Sequence, residues 1–121
     1  LNDGFVIRAV VTQSIKNCGK SRDAIAEEMT VLLGTQVTKR ALDSYTSESA
    51  DQNRFPSQYT RAFCHVTGDW SLLHCVSERA GLHVISKAEL KLTELGRQYV
   101  IQKRAAEMIQ HLEEDLREVA L

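Results

Sequence analysis

The sequence predicts an all-α fold: five short helices packed into one small domain, then one long helix that associates with copies of itself in a bundle. Three observations predict it. Apolar residues recur at spacings of three and four along most of the chain, and alternating runs are short. Asn, Ser, Thr or Asp precedes each apolar run and glycine closes most of them. From Ser86 to the C-terminus an amphipathic pattern runs on with Gly96 as its one interruption.

The elements follow in order. Asn2 and Asp3 can cap a first helix carrying Phe5, Val6, Ala9, Val10, Ile15 and Cys18, and Gly19 suits the left-handed stop after it. Ser21 caps a second helix, with Asp23 at the positive end of its dipole and Ala24, Ile25, Met29 and Leu32 inside. Leu33-Gly34 ends it. Thr38 caps a third helix, Lys39 to about Ser47, whose inner face is Ala41, Leu42 and Tyr45. A polar loop covers Glu48 to Asn53. Pro56 then fits the first turn of a fourth helix, which buries Tyr59, Ala62, Phe63 and Val66 and stops at Gly68. Asp69 caps a fifth, with Trp70, Leu73, Val76 and Ala80 inside and Gly81 after it. Residues 82–85 read as a brief extended link.

Ser86 and Glu89 have the spacing of a capping box, in which each side chain satisfies a backbone amide of the other. The helix that follows, about 34 residues, would span roughly 50 Å. That matches the width of the preceding domain, so most of it cannot be buried within one chain. Its apolar positions are Leu92, Leu95, Tyr99, Ile101, Ala105, Met108, Ile109, Leu112, Leu116 and Val119. Their spacing is nearer 3.6 than 3.5, which favours a broad-faced bundle over a narrow two-stranded coiled coil. The alternative is a helix folded back on its own domain. The expected division is 1–81 for the helical domain, 82–85 for the linker and 86–121 for the oligomerisation helix. Lys87, Lys91, Arg97, Lys103 and Arg104 make its start basic, whereas Glu113, Glu114, Asp115 and Glu118 make its end acidic. Antiparallel neighbours, in a dimer or a tetramer, would set each acidic end beside a basic start.

Composition narrows the function classes. The 121 residues are 43% hydrophobic and 26% charged, the balance of a globular protein. No apolar run approaches the roughly 20 residues that cross a bilayer, and no secretory signal is visible, so a cytoplasmic protein without membrane partners is expected. Three cysteines, Cys18, Cys64 and Cys75, lie in apolar helical patterns and read as buried free thiols. Cys64-His65 and His74-Cys75 match no structural-zinc spacing, because adjacent helical residues point about 100° apart. There is no phosphate loop, nucleophile elbow or paired-carboxylate pattern. The expectation is a non-enzyme with no metal, no cofactor and no small-molecule substrate.

The second and third helices, joined by a short link, read as a helix-turn-helix. If the third helix enters a major groove, its outward positions are Gln36, Thr38, Lys39, Arg40, Asp43, Ser44 and Ser47. Lys and Arg can donate to guanine edges or phosphates, Gln can pair with adenine, and Ser or Thr can bridge to either. Ser21 and Arg22, at the positive start of the second helix, are placed to hold a phosphate, with Arg54 and Arg61 on the other flank. The net charge of -1 supplies no global attraction to DNA. A small basic face suffices if oligomerisation multiplies it.

Several segments carry a resemblance: Ser21-Arg-Asp-Ala-Ile-Ala-Glu-Glu-Met29, Val37-Thr-Lys-Arg-Ala-Leu-Asp-Ser-Tyr45, Arg54-Phe-Pro-Ser57 and Thr67-Gly-Asp69. They resemble the small DNA-binding regulators of temperate phages and prophages, whose helical domains are lambda-repressor-like or POU-like. The layout with a C-terminal bundle helix is similar to the CII-like regulators, including the YdaT type. The resemblance covers the whole chain in layout and residues 21–69 in motif. It implies a transcription regulator in a bacterial cell, associated with the nucleoid, that binds an inverted-repeat DNA operator as a dimer or tetramer. The link Gly34 to Val37 is longer than the shortest form of this motif, which leaves the groove-facing set open. A different class remains: an adaptor that uses the same helices to bind an antitermination or toxin–antitoxin partner.

Overall fold

The computed structural model describes residues 2–48 and 54–120. The loop expected at Glu48 to Asn53 therefore lies outside the described residues beyond Glu48. Among the described residues every regular element is helical: α1 Asp3–Asn17, α2 Arg22–Leu33, α3 Lys39–Thr46, a 3-10 turn at Ser57–Tyr59, α4 Thr60–Thr67, α5 Ser71–Arg79 and α6 Lys87–Ala120. The chain divides into two units, Leu1–Val84 and Ile85–Leu121.

The helix ends follow from local chemistry. Free amides at a helix start need acceptors. Asn2 Oδ1 accepts from Phe5 N at 2.8 Å, Ser21 Oγ from Ala24 N at 3.1 Å and Thr38 Oγ1 from Ala41 N at 3.1 Å. At the other end, Gly34 closes α2 with φ +71, a left-handed conformation that strains any residue bearing a Cβ. After α5, Gly81 N donates to Glu78 O at 3.0 Å and Leu82 N to Ser77 O at 2.9 Å, the paired bonds of a Schellman motif.

The core of the first unit joins α1, α2, α3, α4 and α5. Its largest fully buried side chains include Phe63, Ile25, Met29, Leu42, Leu72 and Val11. An aromatic group extends it: Phe55 lies edge-on to Phe63 at 5.2 Å and to Tyr45 at 5.8 Å, tying α3 to α4. Edge-to-face pairs align the positive ring edge with a negative ring face.

Several expected seams shift. On α1 the buried residues are Val11, Ser14 and Ile15, while Phe5 and Ala9 are exposed. The inner stripe passes through Ile7, Val11, Ser14 and Cys18, so Phe5 and Ala9 lie off it. On α2, Leu32 is exposed and Leu33 is the half-buried one. Pro56 stays extended (ψ 133) ahead of a 3-10 turn and does not enter α4. Its fixed φ of -67 suits this extended position ahead of the turn as well as a helical first turn. On α5 the buried residue is Leu72, and Trp70, Val76 and Ala80 are exposed. Asp69 Oδ1 accepts from Ser71 N at 2.9 Å, so regular helix starts only at Ser71. Docking against α1 and α4 then selects the Leu72 side.

The second unit is α6. Ser86 Oγ accepts from Glu89 N at 3.1 Å, half of the expected reciprocal pair. No residue of α6 is buried. No helix among the described residues is long and apolar enough to cross a membrane.

Candidate nucleic-acid interface

The α2–α3 link is built by one hydroxyl. Thr30 Oγ1 accepts from Val37 N at 2.9 Å and lies 2.8 Å from Ala26 O, to which it can donate. Val37 is thereby turned inward and buried, with Leu42 of α3 buried near it in the same core. This bond ties the backbone just before α3 back to α2, and the buried Leu42 with the Arg22 contacts to Asp43 and Thr46 fixes which side of α3 stays exposed.

Gln36, Thr38, Lys39 and Arg40 are all exposed at the start of α3. The Thr38 hydroxyl is already an N-cap acceptor. The side chains of Arg40 and Gln36 have no hydrogen bond or ion pair among the described residues. Lys39 Nζ pairs with Asp43 Oδ2 at 2.9 Å, one turn along the helix. Asp43 also takes Arg22 Nη1 at 3.1 Å, and the same nitrogen donates to Thr46 Oγ1 at 2.8 Å. One carboxylate therefore lies between two cations. The Lys39 hydrogen bond, together with the charge of Lys39 and Arg22, holds the Asp43 carboxyl below its ordinary value. Ser44 and Ser47 are half-buried, and Ser47 N donates to Ser44 O at 3.4 Å.

The remaining expected residues are placed elsewhere. Ser21 is exposed at the α2 start, with its hydroxyl used as the cap. Arg61 Nη2 reaches Leu32 O at 3.5 Å, at the negative end of α2. Arg54 is exposed beside the start of α1 and borders a small cavity with Arg8 and Tyr45. The structure thus gathers Arg22, Lys39, Asp43 and the residue sequence reasoning missed, Thr46. Arg22 and Thr46 are 24 positions apart, and no local pattern announces their contact.

The pairs expected to be non-ligating fall as follows. Cys64 is fully buried and burial pushes its thiol up, away from reactive thiolate. His65 is exposed and lies edge-on to Trp70 at 4.9 Å. Cys18 and Cys75 are only partly buried. No group of three or more His, Cys, Asp or Glu among the described residues is placed to hold a metal ion.

The class that these features define is an all-helical protein with a small packed domain and a long separate helix. Comparison with known proteins adds no relative: no protein-family model, no curated protein and no solved structure matches the chain.

Proposed function

We propose that this chain is a sequence-specific double-stranded DNA-binding transcription regulator of the phage or prophage kind. In this reading α2 and α3 form a helix-turn-helix in a lambda-repressor-like domain. The chain binds an inverted-repeat operator as an oligomer held by α6, in the cytoplasm, without a cofactor. The observation that carries it is Arg40: an exposed guanidinium with no partner among the described residues, on the first turn of a helix whose back is locked by Val37 and Leu42. A free guanidinium beside Gln36 and Lys39 is the donor set that reads guanine and adenine edges. Arg22 and Lys39, shared with Asp43, are set to hold phosphates at the edge of the contact.

The weak local charge explains the need for an oligomer. The start of α3 offers Arg40, with no partner among the described residues, and Arg22 and Lys39, both shared with Asp43, so linking heads raises apparent affinity without new contacts. Antiparallel α6 helices would match basic and acidic halves. Efficient disulfide cross-linking between copies carrying Ala120→Cys would point to parallel helices instead.

The test is a duplex-binding titration, first with duplexes selected from a random pool. Recovery of an inverted repeat, bound with a steep inverse salt dependence, is the expected result. Arg40→Ala should abolish binding and leave the oligomer intact. Binding that is absent or insensitive to salt would overturn the reading. The adaptor reading has its own observation, since Val31 and Leu32 are exposed at the end of α2. It gains if Val31→Ser with Leu32→Ser abolishes capture of a partner protein while duplex binding is nil.

A further inference from the structure

We infer that Asp43 reads a cytosine in the operator, on a base pair next to the one that Arg40 reads. The inference rests on the DNA reading above and deepens it by naming a base. It starts from an acid in an unfavourable place. A carboxylate beside the exposed side of α3 is repelled by DNA phosphates unless cations neutralise it and a donor on the DNA meets it. Arg22 and Lys39 supply the first condition, since two cations around one anion leave the group net positive.

The geometry leaves room for the second. Asp43 follows Arg40 by three residues, so it lies about 60° round the helix and about 4.5 Å along it. That rise is close to the roughly 3.4 Å between base pairs. The Asp43 side chain is 44% exposed. Its Oδ1 takes Arg22 Nη1 at 3.1 Å and its Oδ2 takes Lys39 Nζ at 2.9 Å. Each carboxylate oxygen has a second lone pair, so each can take one more donor. The two bonds orient the carboxylate before DNA arrives, so little ordering remains to be done on binding. Arg22 and Lys39 keep further N–H groups, so both can hold a phosphate without leaving Asp43.

The chemistry then selects the base. An ionised carboxylate accepts and cannot donate. Guanine O6 and N7 and thymine O4 are acceptors and repel it. The amino groups of cytosine N4 and adenine N6 remain. Adenine sets the acceptor N7 beside N6, where it opposes the second carboxylate oxygen, whereas cytosine has a C–H beside N4. Arg40 and Asp43 together ask for a guanine and a cytosine on adjacent base pairs of each half-site.

The test is selection of duplexes from a random pool by the full chain, by Asp43→Asn and by Asp43→Ala. The wild type should enrich an inverted repeat with that adjacent guanine and cytosine. Asp43→Asn should change the cytosine position to adenine, because an amide donates to N7 and accepts from N6, and should keep the other positions. Asp43→Ala should leave that position without preference. Replacing the cytosine by thymine should weaken wild-type binding at least about fivefold and Asp43→Ala binding less than about twofold. Far-UV ellipticity and sedimentation report whether each variant stays folded and assembled. A variant that still prefers cytosine, or one that changes every position together, overturns the inference and makes Asp43 a brace only. A wild-type repeat without this cytosine overturns the inference and leaves the DNA reading standing. A wild type that selects no sequence overturns both.

Discussion

Arg22, in the first turn of α2, holds the Asp43 carboxylate of α3 at 3.1 Å, and Lys39 holds its other oxygen at 2.9 Å. Asp43 is thus both a brace between two helices and a screen over two cations. These roles separate on mutation. Asp43→Asn should lower stability by about 0.5 kcal/mol, the usual worth of a partly exposed pair. It should also strengthen binding to duplexes of any sequence and steepen the salt dependence, because two cations are released to phosphates. Unchanged affinity and slope would mean that neither cation faces DNA.

The same carboxylate makes stability depend on pH. Asp43 and Asp69 both lie below the ordinary aspartate value of 3.8, Asp43 through Lys39 and Arg22 and Asp69 through the bonds from Ser71. A lowered folded pKa contributes stability that is present above the unfolded value and lost as pH falls through the folded one. The melting temperature should therefore drop as pH goes below about 4. Asp43→Asn together with Asp69→Asn should flatten part of that drop, as thermal melts across pH 2.5 to about 6 would record.

Thr30 provides a sharper test of the α2–α3 link. Thr30→Val keeps the shape and removes the hydroxyl that Val37 N–H meets at 2.9 Å. Leaving that amide without its acceptor should cost about 1–3 kcal/mol by chemical denaturation. Duplex binding should weaken as well, since the exposed side of α3 loses its fixed aim. Thr30→Ser, which restores the hydroxyl, should recover most of both.

Leu42→Ala and Phe63→Ala remove fully buried side chains from the joint of α3 and α4. Each should cost on the order of 3–5 kcal/mol, transfer and cavity terms together. Such a loss is a large part of the stability of a domain this small. Val31→Ala, at 82% exposure, should change stability by less than about 0.5 kcal/mol.

Local chemistry made much of the fold legible. Asn2, Ser21, Thr38 and Ser86 each bond an amide three residues ahead, so donor and acceptor are read from one short stretch. Gly34 and Gly68 close helices in a conformation that glycine enters without strain. The exposed start of α3 was legible for the same reason, since Thr38 caps the helix on which Lys39 and Arg40 sit. The apolar positions of α6 are also written in the residue order, but only an unbroken helix makes their directions definite.

Tertiary structure decided what no short stretch contains. Lys20 of the α1–α2 link reaches Val66 O, 46 positions on, and Arg22 reaches Asp43 and Thr46 across two helices. The sequence by itself determined where α1, α2 and α6 begin and where α2, α4 and α5 meet their closing glycines, because those choices rest on bonds spanning three or four residues. Only the packed structure decided which side of α1 and α5 turns inward and which cations remain unpaired. Those outcomes depend on surfaces that distant segments present to each other, and burial selects among faces whose local preferences differ little.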